Sequence, residues 1–513
     1  MSDTIRLTNR DMNALPGTTG SATDSKKQSQ SQLHDFNEND LMAELEDNKS
    51  AQFAIEKLNY LATYYQRCFP YKRIFNWLNY QPVTQLRNTV NKPNTDYFHK
   101  REISYMILTS SGEEVCIRHE CYNSKDEFKK GVQSRTPIRI DVGPVCDIPP
   151  IKAKDSTSRK PTAIEREFVI DIDMTDYDNI RTCCKGKHIC KSCWKYLTAA
   201  HKVLKRALEE DLGFEHILWV FSGRRGIHAW VCDERARIMD NSVRGAITDM
   251  LDLTEDNERV DNLVKARVLS NQEHPLIKKS YEILEPLFEE FMIKEQCYLS
   301  IPKNFDLFFK LVNMTLDRQP ERTSSLKGAL QQKIAQLRDE LIDLQDTLDL
   351  RHDGTLDIDK AVANGAGPRF SEKVYQETLK FFEKNRLPDL QKDFMLELVI
   401  GLMYPKIDAH VSAQTNHLLK CPFNIHHSTG LVSIPIGNFD TFELDEVPFV
   451  QDVIEGSKEG GEKNQHPVYQ QAVDYFDAFS DELFEEAAEI ETLEKKRTVA
   501  EDGRMVEEEP DDF

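Results

Sequence analysis

Two aspartates separated by a single residue lie in a strongly apolar stretch, EFVIDIDMTDYD (167–178). Side chains alternate between the two faces of a β-strand, so Asp171 and Asp173 project from one face with their Cα atoms about 6–7 Å apart. That spacing suits a site for two divalent ions about 3.5–4 Å apart, as in phosphoryl transfer. A solvated strand face is the alternative interpretation. The apolar neighbours favour a central strand, where two unpaired aspartates would repel each other unless a metal relieved the repulsion.

A cluster of cysteines follows in CCKGKHICKSC (183–193). Thiolates at Cys183, Cys184, Cys190 and Cys193 suit tetrahedral Zn²⁺ and would leave no open position, which is typical of a structural site. His188 is an alternative ligand, because adjacent cysteines are sterically awkward partners on one ion. Free thiols on a loop are the remaining interpretation. We predict a structural zinc site.

A third segment, SGRRGIH (222–228), lies between two apolar stretches predicted to be strands. Gly223 and Gly226 allow the backbone to approach a ligand closely. Arg224 and Arg225 can present planar donor groups to phosphate oxygens, and hydrogen bonds can be added by Ser222 and His228. A solvated hairpin tip is the alternative, but the flanking strands look buried, which places this tip on the sheet near the aspartates.

The last segment whose residues could take part in chemistry is PKIDAHVSAQTNHLLKCPFNIHH (405–427). Asp408 is an acidic residue in an otherwise apolar stretch, and it is followed by His417, Lys420 and His426. Each of these residues, taken alone, is more often structural than functional. Together they supply a third carboxylate, a cation and imidazole donors, which a triphosphate site needs beside its metal ions.

Apolar patterning predicts the elements that hold these residues. Dense β-branched and aromatic residues predict strands at 103–109, 114–120, 138–143, 167–173, 216–222, 226–232 and 431–436. A helix is predicted over 197–213, and Leu and Ile residues recur at helical spacing from Leu326 to Leu348. We therefore predict an α/β fold with a mixed sheet, a zinc motif and an inserted helical subdomain.

The predicted organisation has five parts. Residues 1–40 are polar and predicted to be a disordered extension, and residues 451–513, with 20 acidic and 6 basic residues, are predicted to be a disordered acidic tail. Residues 41–240 are predicted to form the first part of the catalytic α/β domain, with the zinc motif at 183–193. Residues 241–400 are predicted to be a helical insertion, and residues 401–450 return to the catalytic domain.

Composition excludes several classes of protein. The chain has 513 residues, 39% of them hydrophobic and 30% charged, and a net charge of −21 that resides mostly in the predicted tail. Its most apolar run, FMLELVIGLMY (394–404), is too short to cross a bilayer and contains Glu397, so no membrane association is expected. No secretory signal precedes the eleven cysteines, which favours a reducing compartment.

The segments described above resemble the catalytic (small) subunits of eukaryotic DNA primase, within the archaeo-eukaryotic primase superfamily. The matching stretches are YYQRCFPYKRIFNWLNY (64–80), HKREISY (99–105), RIDVG (139–143), EFVIDIDMTDYD (167–178), the cysteine cluster, GFEHILWVFSGRRGIHAWVCDERAR (213–237) and NHLLKCPFNIHHSTGLVSIPI (416–436). The N-terminal extension, the long helical insertion and the acidic tail exceed the family core.

This resemblance implies specific roles. Asp171, Asp173 and Asp408 match the catalytic, Mg²⁺- or Mn²⁺-binding aspartates, and the four cysteines match the zinc motif. Residues that match nucleotide contacts are Ser222, Gly223, Arg224, Arg225, Gly226, Ile227, His228, His417, Leu418, Leu419, Lys420 and His426. Residues that match positions lining the site are Glu102, Arg118, Arg139 and Asp141. Four departures from the family pattern stand out: Cys116 in place of an aromatic residue, Arg139 in place of lysine, Cys421 in place of a small hydroxyl residue, and the lack of a basic residue after His426.

The resemblance also implies an activity and its partners. The family synthesises short RNA primers on single-stranded DNA from ribonucleoside triphosphates, in the nucleus, by nucleotidyl transfer at two metal ions. One ion lowers the pKa of the 3′-hydroxyl and the other stabilises the leaving pyrophosphate. Implied partners are the iron–sulfur large primase subunit and the catalytic and accessory subunits of DNA polymerase alpha. Two alternatives remain open: a related polymerase that prefers deoxynucleotides, and a non-catalytic zinc-knuckle adaptor for nucleic acid.

Overall fold

A computed structural model describes residues 57–80, 96–109, 112–254, 263–318, 324–345, 365–457 and 464–484. All of the sequence-predicted site residues fall in these ranges. The extension predicted at 1–40, and the end of the predicted tail from 485 onward, lie outside them.

The first sheet has the strand order β2-β1-β3-β4. Its strands are β1 (Arg101–Leu108), β2 (Glu114–Glu120), β3 (Arg139–Cys146) and β4 (Ala163–Glu165). A short late strand, β8 (Leu419–Lys420), pairs with β3 so that Lys420 lies opposite Asp141. β1 is buried along its first five residues and β3 from its second residue onward, so the core lies against this sheet.

The second sheet has the order β5-β7-β6 and holds the paired aspartates. Its strands are β5 (Phe168–Asp173), β6 (Ile217–Phe221) and β7 (Gly226–Val231). β6 and β7 are buried throughout, whereas β5 is buried except at its two aspartates. The central position of β7 brings the β6–β7 turn next to the end of β5.

Helices surround the two sheets and form most of the chain between 241 and 403. Around the sheets lie helices at 57–67, Tyr71–Leu78, Asp96–Lys100, Lys125–Arg135, Lys191–Arg206, Glu234–Arg237, Ala409–Ala413, Val450–Glu455 and 467–484. The helical region contains Asn241–Leu251, Ala266–Ser270, Pro275–Phe288, Pro302–Asp317, Ser324–Gln345, Ala366–Lys384 and Pro388–Met403. Two helices continue into π-helical turns, at Ala207–Asp211 and Glu289–Glu295. Single 3-10 turns occur at Pro150–Lys154, Met174–Tyr177, Tyr298–Ser300 and Leu444–Glu446.

The segment that follows β8 joins the two sheets. Its Asn424 side chain accepts a hydrogen bond from Ile140 N on β3, and its Ser433 hydroxyl donates to Phe221 O on β6. A buried ion pair makes a second connection, from Arg101 on β1 to Glu167, the residue before β5, at 3.0 Å. These contacts fix the first sheet relative to the strand that carries the aspartates.

The structure corrects three sequence predictions. All pairings among the described strands are antiparallel, so the described sheets are not mixed. Short turns such as the one between β6 and β7 reverse the chain directly.

The second correction concerns the strand predicted at 431–436. Residues 431–436 are extended beside β6 but make only isolated bridges, because Pro435 has no N–H to donate.

The third correction concerns the predicted tail. The tail is predicted to be disordered over 451–513, yet its described residues include most of the helix Val450–Glu455 and the helix at 467–484, which buries Tyr469, Phe476 and Phe479 in the core. Phe476 contacts both Trp77 and Phe423 through ring edges. The acidic side chains occupy the other faces of this helix, so a high net charge did not indicate disorder here.

No helix among the described residues is long and apolar enough to cross a membrane.

Candidate active site

Three aspartates from two distant parts of the chain meet at the end of β5. Asp171 and Asp173 project from the same face of β5, opposite His228 and Gly226 of β7. The backbone N–H of Asp408 donates to Asp171 O at 3.0 Å, which attaches the segment before the helix Ala409–Ala413 to the edge of the sheet. The carboxylate of Asp408 is exposed and caps that helix by accepting from His410 N and Val411 N.

Asp171 is in an environment that opposes its negative charge. Burial, followed by the neighbouring carboxylates of Asp173 and Asp408, raises the pKa of Asp171 to about 7. His228 Nε2 lies 3.5 Å from Asp171 Oδ1. Burial and the nearby Lys420 lower the pKa of His228 to about 3, so its imidazole is neutral near pH 7 and adds no positive charge beside Asp171.

Asp173 differs because it has direct partners. Arg225 Nε lies 2.7 and 3.0 Å from its two carboxylate oxygens, and the backbone N–H and hydroxyl of Thr175 each donate to Oδ1 at 2.8 Å. Burial acts to raise the pKa of Asp173, but these hydrogen bonds and the guanidinium hold it below its ordinary value. With Asp173 and Asp408 both engaged by neighbours, the three carboxylates are not all within 4.8 Å of one another.

The β6–β7 turn has the tight geometry expected of SGRRGIH. Ser222 and Gly226 exchange hydrogen bonds, from Ser222 N to Gly226 O and from Gly226 N to the Ser222 hydroxyl. Gly223 has φ +90°, and a Cβ on it would lie 2.9 Å from His426 Cβ. A Cβ on Gly226 would lie 2.5 Å from Ile172 O. Both positions therefore exclude a side chain.

The two arginines of this turn differ in their surroundings. Arg225 is paired with Asp173, whereas Arg224 has no salt bridge among the described residues. Burial and the adjacent Arg225 lower the pKa of Arg224, and an incoming anion would relieve this repulsion. Ile227 is fully buried between Ile172 and Phe221 and supports the turn from below.

Lys420 brings a third basic group to the turn from the first sheet. Its Nζ donates to Ser222 O at 2.9 Å. Burial and the nearby Arg139 lower the pKa of Lys420 to about 8. On β3, Arg139 Nε lies 2.6 Å from Asp141 Oδ1, while burial raises the pKa of Asp141. Lys420 thus connects the β3 pair to the phosphate-binding turn predicted from the sequence.

The remaining predicted residues lie around this centre. His426 is buried against Gly223, and burial followed by Lys420 lowers its pKa. His417 is half-buried, and burial followed by Arg166 lowers its pKa. Leu419 pairs with Val142 in the sheet, and Leu418 lies against Gly143.

Glu102 and Arg118 form a separate pair on the first sheet. Arg118 Nε lies 3.0 Å from Glu102 Oε1. The same carboxylate accepts from the backbone N–H of His119, which has φ +64° at an irregularity of the β1–β2 pairing. Glu102 therefore fixes the strand that carries Arg118, and its Cβ lies close to Gly143 of β3.

The four cysteines converge on one point beside the second sheet. Their sulfur atoms all lie within 4.8 Å of one another, and Cys193 is buried while the other three are half-buried. His188 is exposed and is not part of this group. Four thiol ligands in this arrangement fit the donor set of a structural zinc ion.

Sequence reasoning missed the side chains that support these groups. Gln296, fully buried, donates to Cys183 Sγ at 3.5 Å and to the Ser192 hydroxyl at 2.7 Å. Arg181 Nη1 lies 3.7 Å from Cys193 Sγ. Thr429 donates to Gly223 O at 2.8 Å and holds the turn. Of the supporting residues, Thr175 alone could have been found from the local sequence, because it is a hydroxyl residue two positions after Asp173, which caps a turn.

The chain is similar to DNA primase small subunits over most of its length. The family model for the DNA primase small subunit matches residues 170–437. A DNA primase small subunit from Drosophila melanogaster is 34% identical over 381 residues, covering 73% of this chain and 75% of the relative. The relative from Saccharomyces cerevisiae is 32% identical, with 76% and 83% covered, and that from Caenorhabditis elegans is 31% identical, with 77% and 86% covered.

The family match includes the three aspartates, the cysteine cluster and the β6–β7 turn, and the relatives extend the similarity over most of the chain. The resemblance noted from the motifs is thereby confirmed, and the chain belongs to the DNA primase small subunit family.

Proposed function

We propose that this chain is the catalytic subunit of a primase and synthesises short RNA primers on single-stranded DNA from ribonucleoside triphosphates. The observation that carries the proposal is the meeting of Asp171, Asp173 and Asp408 beside a turn with two arginines and a lysine. Clustered carboxylates facing clustered cations are what nucleotidyl transfer requires, because divalent ions and a triphosphate must bind side by side.

The aspartates fit divalent metal ions by the chemistry of their donor set. Mg²⁺ and Mn²⁺ prefer carboxylate oxygens. Burial, followed by the carboxylates of Asp173 and Asp408, raises the pKa of Asp171, and a bound cation would stabilise its ionised form. When bound, two such ions supply Lewis acidity toward the 3′-hydroxyl and neutralise charge on the leaving pyrophosphate. Asp171, Asp173 and Asp408 would hold them.

The basic residues of the site act on the triphosphate. Arg224 and Arg225 present planar donor groups at the tip of the turn, and Lys420 provides a point charge at its base. Gly223 lets the phosphates approach the backbone because no side chain projects there. Neutral His228 orients Asp171 and can donate a hydrogen bond without repelling the ions.

We propose that the chain works within a larger assembly in the nucleus. The names of its relatives as small subunits support a complex with at least one further primase subunit. By family analogy the partners are the iron–sulfur large subunit and the DNA polymerase alpha subunits. Zn²⁺ on the four cysteines would contribute to folding rather than to catalysis.

Primer synthesis on poly-dT with labelled ATP and Mg²⁺ or Mn²⁺ tests the proposal. The assay compares the native chain with Asp171→Asn, with the control Asp339→Asn, an exposed carboxylate on the helix Ser324–Gln345, and with dATP as substrate. We expect RNA products from the native chain and the control, and nearly none from Asp171→Asn.

Three results would contradict parts of the proposal. Unchanged yield from Asp171→Asn would exclude the assigned metal site. A preference for dATP would indicate a deoxynucleotide polymerase. Failure of both the folded, zinc-loaded chain and its complex with the large subunit would favour the adaptor function.

A further inference from the structure

We infer that a second, cationic cavity binds a compact polyphosphate anion. It has a volume of about 330 Å³ and lies where the helices Tyr71–Leu78, Lys125–Arg135 and 467–484 begin. None of its lining residues belongs to the candidate active site, so this inference goes beyond the proposed function.

The first argument is charge. Among the described residues that line the cavity, five are basic and one is acidic: Arg67, Lys72, Arg73, Lys125, Lys129 and Asp126. Arg73 is paired with Asp477 at 2.6 Å, and Lys125 lies 3.4 Å from Asp126. Lys72 and Lys129 have no acidic partner within salt-bridge distance among the described residues, and they give a positive concavity on a chain whose net charge is −21. Like charges held together in this way favour the binding of an anion with several charges.

The backbone adds to this charge. The helix Tyr71–Leu78 begins at Pro70 with no side-chain cap and no acidic residue in its first turn. The helix Lys125–Arg135 also begins at this cavity, but Ser124 caps it and Asp126 and Glu127 lie in its first turn, so the uncapped start at Pro70 is the one that favours an anion. Helix N-termini carry partial positive charge and N–H groups that suit phosphate.

The floor of the cavity excludes recognition of nucleic-acid bases. Phe69, Tyr71 and Tyr469 are at most 7% exposed, so no aromatic face is available for stacking. The hydroxyl of Tyr71 donates to Tyr65 O and that of Tyr469 donates to Cys68 O. The amides of Asn464 and Gln470, which also line the cavity, donate to Val453 O and to Asp474 Oδ1. What the described lining offers a ligand is therefore mainly positive charge.

The placement of the cations favours a compact ligand over an extended strand. Lys72 comes from one helix start and Lys129 from the first turns of another, with Lys129 Nζ 5.8 Å above the Tyr71 ring. Cations on different walls surround a short chain of phosphates, whereas an extended backbone is followed by cations in a line.

Calorimetric titration of the full chain with inorganic tripolyphosphate tests the inference. Divalent ions are omitted, because the three aspartates then repel polyphosphate from the candidate active site. The test variant is Lys72→Glu with Lys129→Glu, and a milder form replaces both by Gln in case charge reversal disturbs folding. The control is Lys278→Glu with Lys279→Glu, two exposed lysines on the helix Pro275–Phe288.

We expect one tripolyphosphate per chain, bound at least tenfold more weakly by the Glu variant, with an intermediate loss in the Gln variant and no change in the control. Equal affinity in the Glu variant, or no saturable binding at low salt, would overturn the inference. An oligo-dT with hydroxyl ends is titrated in parallel. If it alone binds, and depends on the same lysines, the ligand is an extended backbone and the compact site is wrong. Primer synthesis is not measured, so this result is independent of the proposed activity.

Discussion

Arg225 lies directly on the carboxylate of Asp173, with Nε 2.7 and 3.0 Å from the two oxygens. A side chain assigned to phosphate thus neutralises a side chain assigned to metal. Metal ions that bind Asp173 must compete with this guanidinium. A guanidinium displaced by such an ion is then free to bind a triphosphate. The pair therefore links the two halves of the candidate site.

Arg225→Ala is expected to change metal and nucleotide binding in opposite directions. Without nucleotide, the affinity for Mn²⁺ rises about three- to tenfold, because the ion no longer has to displace a guanidinium whose ion pair with Asp173 is worth ~1 kcal/mol. The KM for ribonucleotides rises about tenfold or more, because a charge-assisted hydrogen bond is lost. Electron paramagnetic resonance of free Mn²⁺ and steady-state primer synthesis measure the two effects.

Arg159→Ala is the matched control, since Arg159 pairs with Asp147 at 2.6 Å on an exposed loop. It should alter neither quantity. Weaker or unchanged Mn²⁺ binding in Arg225→Ala would show that the guanidinium does not compete for Asp173.

The raised pKa of Asp171 predicts a pH-dependent instability in metal-free buffer. In the unfolded chain this carboxyl ionises near pH ~3.9, but in the folded chain it ionises only at about 7. The folded state therefore holds the proton more tightly, and its stability on account of this group falls as pH rises from about 4 to 7. Above pH 7 the full penalty is present, and a rise of about three pKa units corresponds to about 4 kcal/mol.

Asp171→Asn removes this penalty. Urea unfolding without divalent ions should show the variant to be more stable than the native chain at pH 8, with the difference shrinking toward pH 4.5. Added Mg²⁺ should stabilise the native chain and leave the variant unaffected. A difference that does not vary with pH would contradict the assignment of the raised pKa to Asp171.

Local patterns in the sequence predicted what depends on a few neighbouring residues. Strand alternation put Asp171 and Asp173 on one face, and the glycines marked the tight turn, because both follow from backbone geometry over short distances. The position of Asp408 beside β5 did not follow from spacing, since it depends on a backbone hydrogen bond between distant segments. The residue types suggested Asp408 as a third carboxylate, and the family resemblance matched it to the other two aspartates.

The features that the sequence did not predict depend on contacts between residues that are far apart along the chain. Nothing in SGRRGIH shows that Arg225 faces Asp173 while Arg224 has no acidic partner in the part of the chain that the structure describes. The helix at 467–484 was missed because its acidic residues dominated the composition, although Tyr469, Phe476 and Phe479 lie at spacings that suit one buried face.

We expect Gln296 to affect how firmly the cysteine cluster would hold a zinc ion. Its amide is held by Thr182 N, which donates to Oε1 at 3.0 Å, and it donates in turn to Cys183 Sγ. Residues that support metal ligands typically contribute 10–100-fold in affinity. Gln296→Leu should therefore release zinc to a chromogenic chelator about tenfold faster. Gln376→Leu, a half-buried glutamine hydrogen-bonded to Glu289, is the control, and equal release rates would exclude a supporting role for Gln296.

The last prediction concerns Gly223 and Gly245. Replacement by alanine should lower the free energy of unfolding at the first position and raise it at the second. Gly223 has φ +90° and would bring an added Cβ to 2.9 Å from His426 Cβ. Gly223→Ala should lower the free energy of unfolding by about 1–3 kcal/mol and raise the KM for ribonucleotides, since the turn or His426 must move.

Gly245 lies within the helix Asn241–Leu251, and a Cβ there meets nothing within 4 Å. Gly245→Ala should raise the free energy of unfolding by roughly 0.5–1 kcal/mol through lower entropy of the unfolded chain and should leave the KM unchanged. Urea unfolding and primer synthesis on both variants decide the matter. If Gly223→Ala keeps the native KM, the turn does not hold the triphosphate, and the assignment of Arg224 and Arg225 to the phosphates fails with it.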